Sequence, residues 1–252
     1  MPAYSSFADY YDALMEDARY SERCDYLLSL LKRHGNKAGY TLDLACGTGS
    51  LAIELKKRGV EVFGADASVE MLSEAMQKSL EQGLHILFVN QKMQELDLPE
   101  KIDTCFCTLD SINHITDEET LQTAFNRLGG FMETGGLFVF DVNTVYKHRK
   151  VLGDNAFIIE NDRVFCAWQN TLEENDIVSI DLDFFERDGS VYYRQSENFC
   201  ERAYSDTQLR TMLKAAGFAV EAVYGDFTFD EPAHDEQRAV YVARRIKENG
   251  EE

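Results

Sequence analysis

Nowhere does the chain hold an unbroken apolar run approaching the roughly 20 residues that a membrane-spanning helix needs, which argues against a membrane protein. Its first residues, Met1-Pro2-Ala3-Tyr4-Ser5-Ser6, do not read as a secretory leader. The six cysteines fall singly or in strand-like runs, and Cys105-x-Cys107 has neither zinc-type nor redox-type spacing. Reduced, buried thiols in a cytoplasmic protein are therefore expected. No metal is expected either, since no histidines and carboxylates cluster at ligand spacing. Bases are scarce as well: 25 against 45 acids, a net charge of −20. Nucleic-acid binding draws on phosphate neutralisation, so this balance argues against a nucleic-acid partner. The densest basic stretch, Tyr146-Lys147-His148-Arg149-Lys150, reads as a solvated loop.

What is present suits a packed core. Hydrophobic residues make up 44% and aromatics 12% of 252 residues, enough for one large domain or a core carrying an insertion. The organising stretch is Thr41-Leu42-Asp43-Leu44-Ala45-Cys46-Gly47-Thr48-Gly49-Ser50-Leu51-Ala52. An apolar run passes through two glycines into a helical pattern, the strand, turn and helix N-terminus that bring backbone N–H groups against a nucleotide-like ligand. Gly47 and Gly49 permit positive φ and let a ligand approach the backbone. The spacing alone also fits a relaxed dinucleotide fingerprint.

Downstream, strands and helices alternate. Strands are expected over 41–45, 61–65, 84–90, 102–108 and 137–142, the third buried on both faces. Between them lie helices over 50–58, 69–82 (with Val69, Leu72, Met76 and Leu80 as its apolar positions) and 117–132, the last opened by Thr116-Asp117-Glu118-Glu119. Such alternation implies right-handed βαβ units and a parallel sheet. From 157 to 202 the period switches to two, Val178, Ile180, Leu182 and Phe184 alternating with Ser179, Asp181 and Asp183. Three or four antiparallel strands are read there, with Asp188-Gly189 as a hairpin turn. A helix after Ser205-Asp206-Thr207-Gln208 and strands near 219–224 and 238–244 complete a seven-stranded sheet. The expected fold is thus α/β: a Rossmann-like, mostly parallel sheet with helices on both faces (1–150 and 203–252), plus an inserted antiparallel sheet (151–202).

Asp43-Leu44-Ala45-Cys46-Gly47-Thr48-Gly49 resembles the D/E-x-G/A-x-G-x-G motif of the class I S-adenosylmethionine-dependent methyltransferases. Three further segments follow in that family's order: Val62 to Ser68, Gln91-Lys92-Met93, and Cys107-Thr108-Leu109-Asp110-Ser111. The resemblance implies S-adenosylmethionine as cofactor, held by Asp43, Ala45, Cys46, Gly47, Gly49, Asp66, Ala67, Met71, Gln91, Met93 and Leu109. Asp66, at a strand end, would accept both ribose hydroxyls, and Met71 would pack on adenine. Lys92 stands where similar sequences usually carry Asp; it cannot accept a hydrogen bond, so either affinity falls or Lys92 turns to solvent. The amide oxygen of Gln91 is the substitute. An N-terminal helix over 4–15 would fold as a lid, bringing Tyr11 to the cofactor. Methyl transfer needs alignment more than acid–base help, yet an amine must arrive unprotonated. Asp110, His114 and Tyr11 are the candidate catalytic groups, Asp110 also as holder of the acceptor.

The implied function is methyl transfer to a small molecule, an amine nitrogen first, in the manner of bacterial N-methyltransferases acting on nucleotide-linked amino sugars. The insert would roof the acceptor pocket and is a possible homodimer contact; Trp168, Tyr192, Tyr193 and Phe199 are lining candidates, though most of them read first as the insert's own core. An RNA methyltransferase and a non-catalytic S-adenosylmethionine-binding protein are the alternatives. Tyr146-x-x-x-Lys150 mimics a short-chain dehydrogenase pair but follows a strand rather than lying in a long helix, and is read as coincidence.

Overall fold

The computed structural model describes residues 18–160 and 164–246. The helix expected over 4–15, with Tyr11, and the tail beyond 246 lie outside the described residues. Two sheets organise the rest. The larger has seven strands: β1 (Tyr40–Leu44), β2 (Glu61–Asp66), β3 (Phe88–Asn90), β4 (Ile102–Cys107), β5 (Met132–Asn143), β10 (Phe218–Gly225) and β11 (Arg238–Arg245). Their order is β10-β11-β5-β4-β1-β2-β3. Every pair from β5 to β3 is parallel, and β11 runs antiparallel to both its neighbours.

Period two explains how this sheet is covered. Leu137 and Val139 of β5 turn to the face under α1 (Tyr20–Arg33) and α2 (Ser50–Lys57), where Leu27, Leu30, Leu31, Leu51 and Leu55 meet them. Phe138, Phe140 and Val142 turn to the face under α4 (Glu118–Phe131) and α5 (Asp206–Ala215), against Leu121, Phe125, Leu128 and Leu213. Strands buried on both faces read as continuous apolar runs, which is why the central ones were easy to place.

The third strand departs from expectation. Only Phe88–Asn90 pairs, at the sheet edge, and Leu87 is 61% exposed, so this strand is not buried on both faces. Its apolar run overstated it because an edge strand has one neighbour and a partly open face. The helix before it, α3 (Val69–Glu81), also turns differently. Val69, Met76 and Leu80 are 62%, 48% and 65% exposed, whereas Met71, Leu72, Ala75 and Ser79 are buried. The helix approaches the glycine loop so closely that a Cβ on Gly49 would lie 2.8 Å from that of Ala75, a clash that glycine avoids.

The second sheet is a four-stranded antiparallel meander of β6 (Ala156–Glu160), β7 (Val164–Leu172), β8 (Ile177–Asp188) and β9 (Val191–Arg202). Its inward face carries Val164, Cys166, Val178, Ile180, Leu182 and Phe184, packed with Leu152 and with Met71 of α3. That cluster seats the meander beside the carboxyl ends of the parallel strands. The hairpin turn is shifted by one residue: Asp188 is the last strand position, paired with Val191, and the turn takes Gly189 (φ 60°) and Ser190. The basic run is a correction too. It forms a π-helical turn, Lys147–Leu152, in which His148 is fully buried, so it is not a solvated loop. No described helix is long and apolar enough to cross a membrane.

Candidate functional site

One cavity of about 520 Å³ lies between the two sheets. Its floor is the carboxyl edge of the parallel sheet: Ala45, Gly47, Asp66, Ala67, Ser68, Met71, Gln91, Lys92, Met93 and Leu109. Its roof is the inward face of the meander, and Asp110, Ser111, His114 and Glu201 stand between. Open α/β sheets bind ligands at this edge because the strand-to-helix turns present unpaired backbone N–H groups there.

The floor begins with the turn after β1. Ala45 and Gly47 both have positive φ (57° and 52°), and nothing lies within 4 Å of where a Gly47 Cβ would project. The Asp66 carboxylate, at the end of β2, accepts N–H groups from Gly47 and Ser68, each at 2.8 Å. Each oxygen thus takes one bond and keeps acceptor capacity for a ligand hydroxyl. Burial raises the Asp66 carboxyl despite the N–H groups of Ser68, Gly47 and Ala67. Beneath the turn, Asp43 is buried within β1, and its Oδ2 has no hydrogen-bond partner among the described residues. Burial pushes its carboxyl up to about 8, opposed by the Ala52 N–H and reinforced by the Asp66 charge. A buried acid with one unpartnered oxygen under a bare glycine turn, with a second carboxylate beside it that keeps acceptor capacity, fits an adenosine whose amino-acid end is cationic.

Gly49, Cys46 and Asp43 do not line the cavity. Gly49 serves the close approach to Ala75 and Phe88 described above. Cys46 has its N–H bonded to Ala65 and its Sγ 2.7 Å from where a Gly64 Cβ would stand. Gln91 is on the wall, and both ends of its amide are bonded to the Asp97 backbone at 2.9 Å, which commits one lone pair of its oxygen and fixes the amide along its own loop. Lys92 is half exposed and pairs with Glu95, Nζ to Oε1 3.2 Å, the solvent-facing alternative. Met93 opens a 3₁₀ turn (Met93–Glu95), whose first N–H groups have no acceptor within the turn.

The segment after β4 is held in a costly conformation. Leu109 and Asp110 both have positive φ (59° and 56°), each worth roughly 1–3 kcal/mol of strain. Asp141 on β5 offsets this by accepting both of their N–H groups, at 2.9 and 2.8 Å. Asp141 is itself paired with Arg238 and, at 3.4 Å, with Arg23. The Asp110 side chain accepts from Arg238 and from Asn143, both at 2.8 Å. Burial would raise this carboxyl, but Arg238, Lys147 and His114 outweigh it and hold it well below the usual range. A carboxylate so stabilised is a weak proton acceptor, which argues against Asp110 as general base. Its two oxygens tie the loop after β4 to Arg238 and Asn143 instead.

His114 lines the cavity with its ring 5.2 Å from that of Phe199 and its Nε2 3.8 Å from Glu201 Oε1. Asp110, His114 and Glu201 offer atoms all within 4.8 Å of one another, a grouping invisible to spacing rules because Glu201 arrives from β9. The Asp110 oxygens are already taken by Arg238 and Asn143, so the set reads as a hydrogen-bonded polar cluster. Overhead, Ile159, Cys166, Trp168, Leu182, Phe184 and Phe199 face the cavity. Tyr192 and Tyr193 neither line the cavity nor join the insert's core: both are more than half exposed near the β8–β9 hairpin.

Sequence reading missed Glu201, His148, Asp141, Asn143, Arg238 and Asn113. The buried Asn113 donates to the carbonyls of Asn143 and Arg202 and accepts the Asn143 N–H, locking this loop to both sheets. The one available signal was polar residues interrupting apolar strand runs, as Asp141 and Asn143 do in β5.

Residues 41–136 match the family model described as a methyltransferase domain. The chain is 34% identical to a putative methyltransferase of Geobacillus sp. (strain WCH70), over 96% of this chain and 99% of that one. It is 25% identical to a glycine/sarcosine N-methyltransferase of Parasynechococcus marenigrum (strain WH8102), over 89% and 78% of the two chains. The crystal structure of an S-adenosylmethionine-dependent methyltransferase from Clostridium acetobutylicum ATCC 824 superposes with a TM-score of 0.88 at 33% identity, covering 97% of this chain and 99% of that one.

Proposed function

The chain belongs to the class I S-adenosylmethionine-dependent methyltransferases, and on that footing we propose that it methylates a nitrogen of a small amine held beneath the antiparallel sheet. S-adenosylmethionine supplies an electrophilic methyl on a cationic sulfur. Asp66 would hold the ribose diol, Met71 and Met93 would flank the adenine, and the turn at Ala45–Gly47 above Asp43 would take the amino-acid end. Leu109 and Ser111 would border the reacting end. The roof excludes water and aligns the acceptor, and alignment alone supplies on the order of 7–11 kcal/mol when geometry is ideal. The observation that carries the reading is the single cavity wall shared by both sheets: a nucleotide-type floor and an apolar roof meet at one polar cluster. The N-methyltransferase named among the relatives supports nitrogen as the acceptor atom. The exposed Val191, Tyr192 and Tyr193 on edge strand β9 are where a second copy would pair.

Isothermal calorimetry with S-adenosylmethionine and with nicotinamide dinucleotides tests the cofactor site. Asp66→Ala is expected to weaken S-adenosylmethionine binding by roughly 1.5–3 kcal/mol, the value of a charge-assisted hydrogen bond. Tighter binding of a dinucleotide, or no effect of the substitution, would overturn the assignment.

A further inference from the structure

We propose that Glu201 binds the ammonium group of the acceptor and takes its proton, and that the acceptor is a primary or secondary amine with an aromatic or branched apolar body and no phosphate. This rests on the methyltransferase reading above and names the substrate class of that site.

The charge pattern is the first argument. Among the described residues lining the cavity, the charged ones are Asp66, Lys92, Asp110 and Glu201, with His114 and the Cys166 thiol the other titratable groups. Asp66 and Lys92 belong to the floor, and Asp110 is neutralised by Arg238. Glu201 is therefore the carboxylate left to face the apolar roof. One of its oxygens, Oε2, accepts from Asn143 Nδ2 at 3.0 Å. The other, Oε1, makes no hydrogen bond among the described residues and has His114 Nε2 at 3.8 Å. A buried carboxylate with an open oxygen beside Trp168 and Phe199 suits a cation with a hydrophobic body. Such pockets gain specificity from a few polar groups set in an apolar wall. No arginine lines the cavity among the described residues, and Lys92 is engaged with Glu95, so nothing there answers a diphosphate. This separates the acceptor from nucleotide-linked amino sugars.

His148 gives the second argument. It is fully buried, and its Nδ1 donates to the Asp176 carbonyl at 2.9 Å, which fixes the proton on that nitrogen. Its Nε2 has no hydrogen-bond partner among the described residues and lies 3.7 Å from Glu201 Oε2. A bare ring nitrogen aimed at a carboxylate is complementary once a proton sits between them. The groups facing Glu201 are Asp110 and His114 from the loop after β4, Asn143 from β5, and Lys147 and His148 from the π-helical turn.

The step balances as follows. The acceptor enters as R–NH₃⁺, paired with Glu201. One N–H proton passes to Glu201 Oε1, while Oε2 keeps the Asn143 bond and faces His148 Nε2. The freed lone pair forms the nitrogen–carbon bond while the carbon–sulfur bond breaks with its electrons on sulfur. The product is R–NH₂CH₃⁺ and a neutral thioether, and the proton leaves to solvent with the product.

The test uses the full chain with S-adenosylhomocysteine bound. Binding of 2-phenylethylamine, tryptamine and benzylamine is measured by calorimetry against the matched carboxylates 3-phenylpropanoate, indole-3-propanoate and phenylacetate. At least one amine is expected to bind tenfold or more above its matched anion, and Glu201→Gln, which keeps an acceptor for Asn143, should erase that preference. With the amine that binds, kcat should fall by about 10²–10⁴ in Glu201→Gln, the usual share of a positioned proton acceptor. His148→Gln should lower kcat tenfold or more while KM stays within threefold, a split that a purely structural role would not produce. Equal binding of amines and anions, or a Glu201→Gln protein matching wild type, overturns the proposal. Failure of wild type to bind S-adenosylhomocysteine would instead sink the underlying methyltransferase reading.

Discussion

Replacing Asp43 by Asn tests whether the fold holds this carboxyl neutral. Its side chain is buried in β1, one oxygen has no partner, and burial pushes its pKa up to about 8 from an ordinary value near 3.8. The sign follows from linkage. An acid whose folded pKa is raised binds more protons in the folded state, so it contributes stability in full below about pH 4 and loses it as pH rises to about 8. Each unit in that window costs about 1.4 kcal/mol, so between pH 5 and 8 the loss from this group alone is on the order of 4 kcal/mol. Asn cannot ionise. Urea unfolding of both proteins without ligand, from pH 5 to 9, should show Asp43→Asn gaining stability relative to wild type across the window and levelling above pH 8. Comparing the two proteins cancels the titration of groups not coupled to Asp43, Asp66 being the neighbour that is. A cationic ligand end over Asp43 would restore the charge, so binding of S-adenosylmethionine at pH 7 should release a proton from wild type and none from Asp43→Asn. Calorimetry in buffers of different ionisation enthalpy reads that directly. A stability difference that is flat in pH would refute the reasoning, because it would mean that the carboxyl is already ionised against an unseen partner.

Arg238→Met should destabilise the protein by roughly 3–5 kcal/mol, since it leaves Asp141 and Asp110 in the interior without their shared cation. Because Arg238 holds the Asp110 carboxyl below its usual range, the penalty should be complete above about pH 4 and shrink as pH falls through the range where Asp110 protonates, which pH-dependent urea midpoints will show. Lys92→Asp should leave S-adenosylmethionine affinity within threefold, because Lys92 faces solvent with Glu95. A tenfold tightening by calorimetry would show that adenine lacks an acceptor.

Much of the floor was legible because its signals are local. Asp43, Gly47 and Asp66 lie within one strand–turn–helix–strand unit, and the same local chemistry that folds the unit positions them. The central strands were legible because burial on both faces leaves an unbroken apolar run. Two local readings misled. In α3 the residues 69, 76 and 80 share a face as regularly as 71, 72, 75 and 79 do, and periodicity cannot say which face meets the core when small residues form the contact. In 84–90 apolar content outran pairing. The polar cluster was not legible at all. Glu201 meets His114 across 87 positions of chain, and Arg238 meets Asp110 across 128. No rule of spacing joins residues that only a sheet order brings together. His148 was hidden by its company, since four polar or charged neighbours made a buried residue look like a solvated run.

The roof of the cavity separates what holds the sheet together from what faces the acceptor. A strand's hydrogen bonds belong to its backbone, and alternate side chains share a face. Trp168 and Phe199, half-buried at the cavity, can therefore be exchanged without disturbing the ladder of β7, β8 and β9 or the glycine turn below, whereas Leu182 and Phe184 are also the meander's own core. Changes at those ceiling positions would recut the acceptor space while leaving the floor, the Asn113 clasp and Glu201 in place.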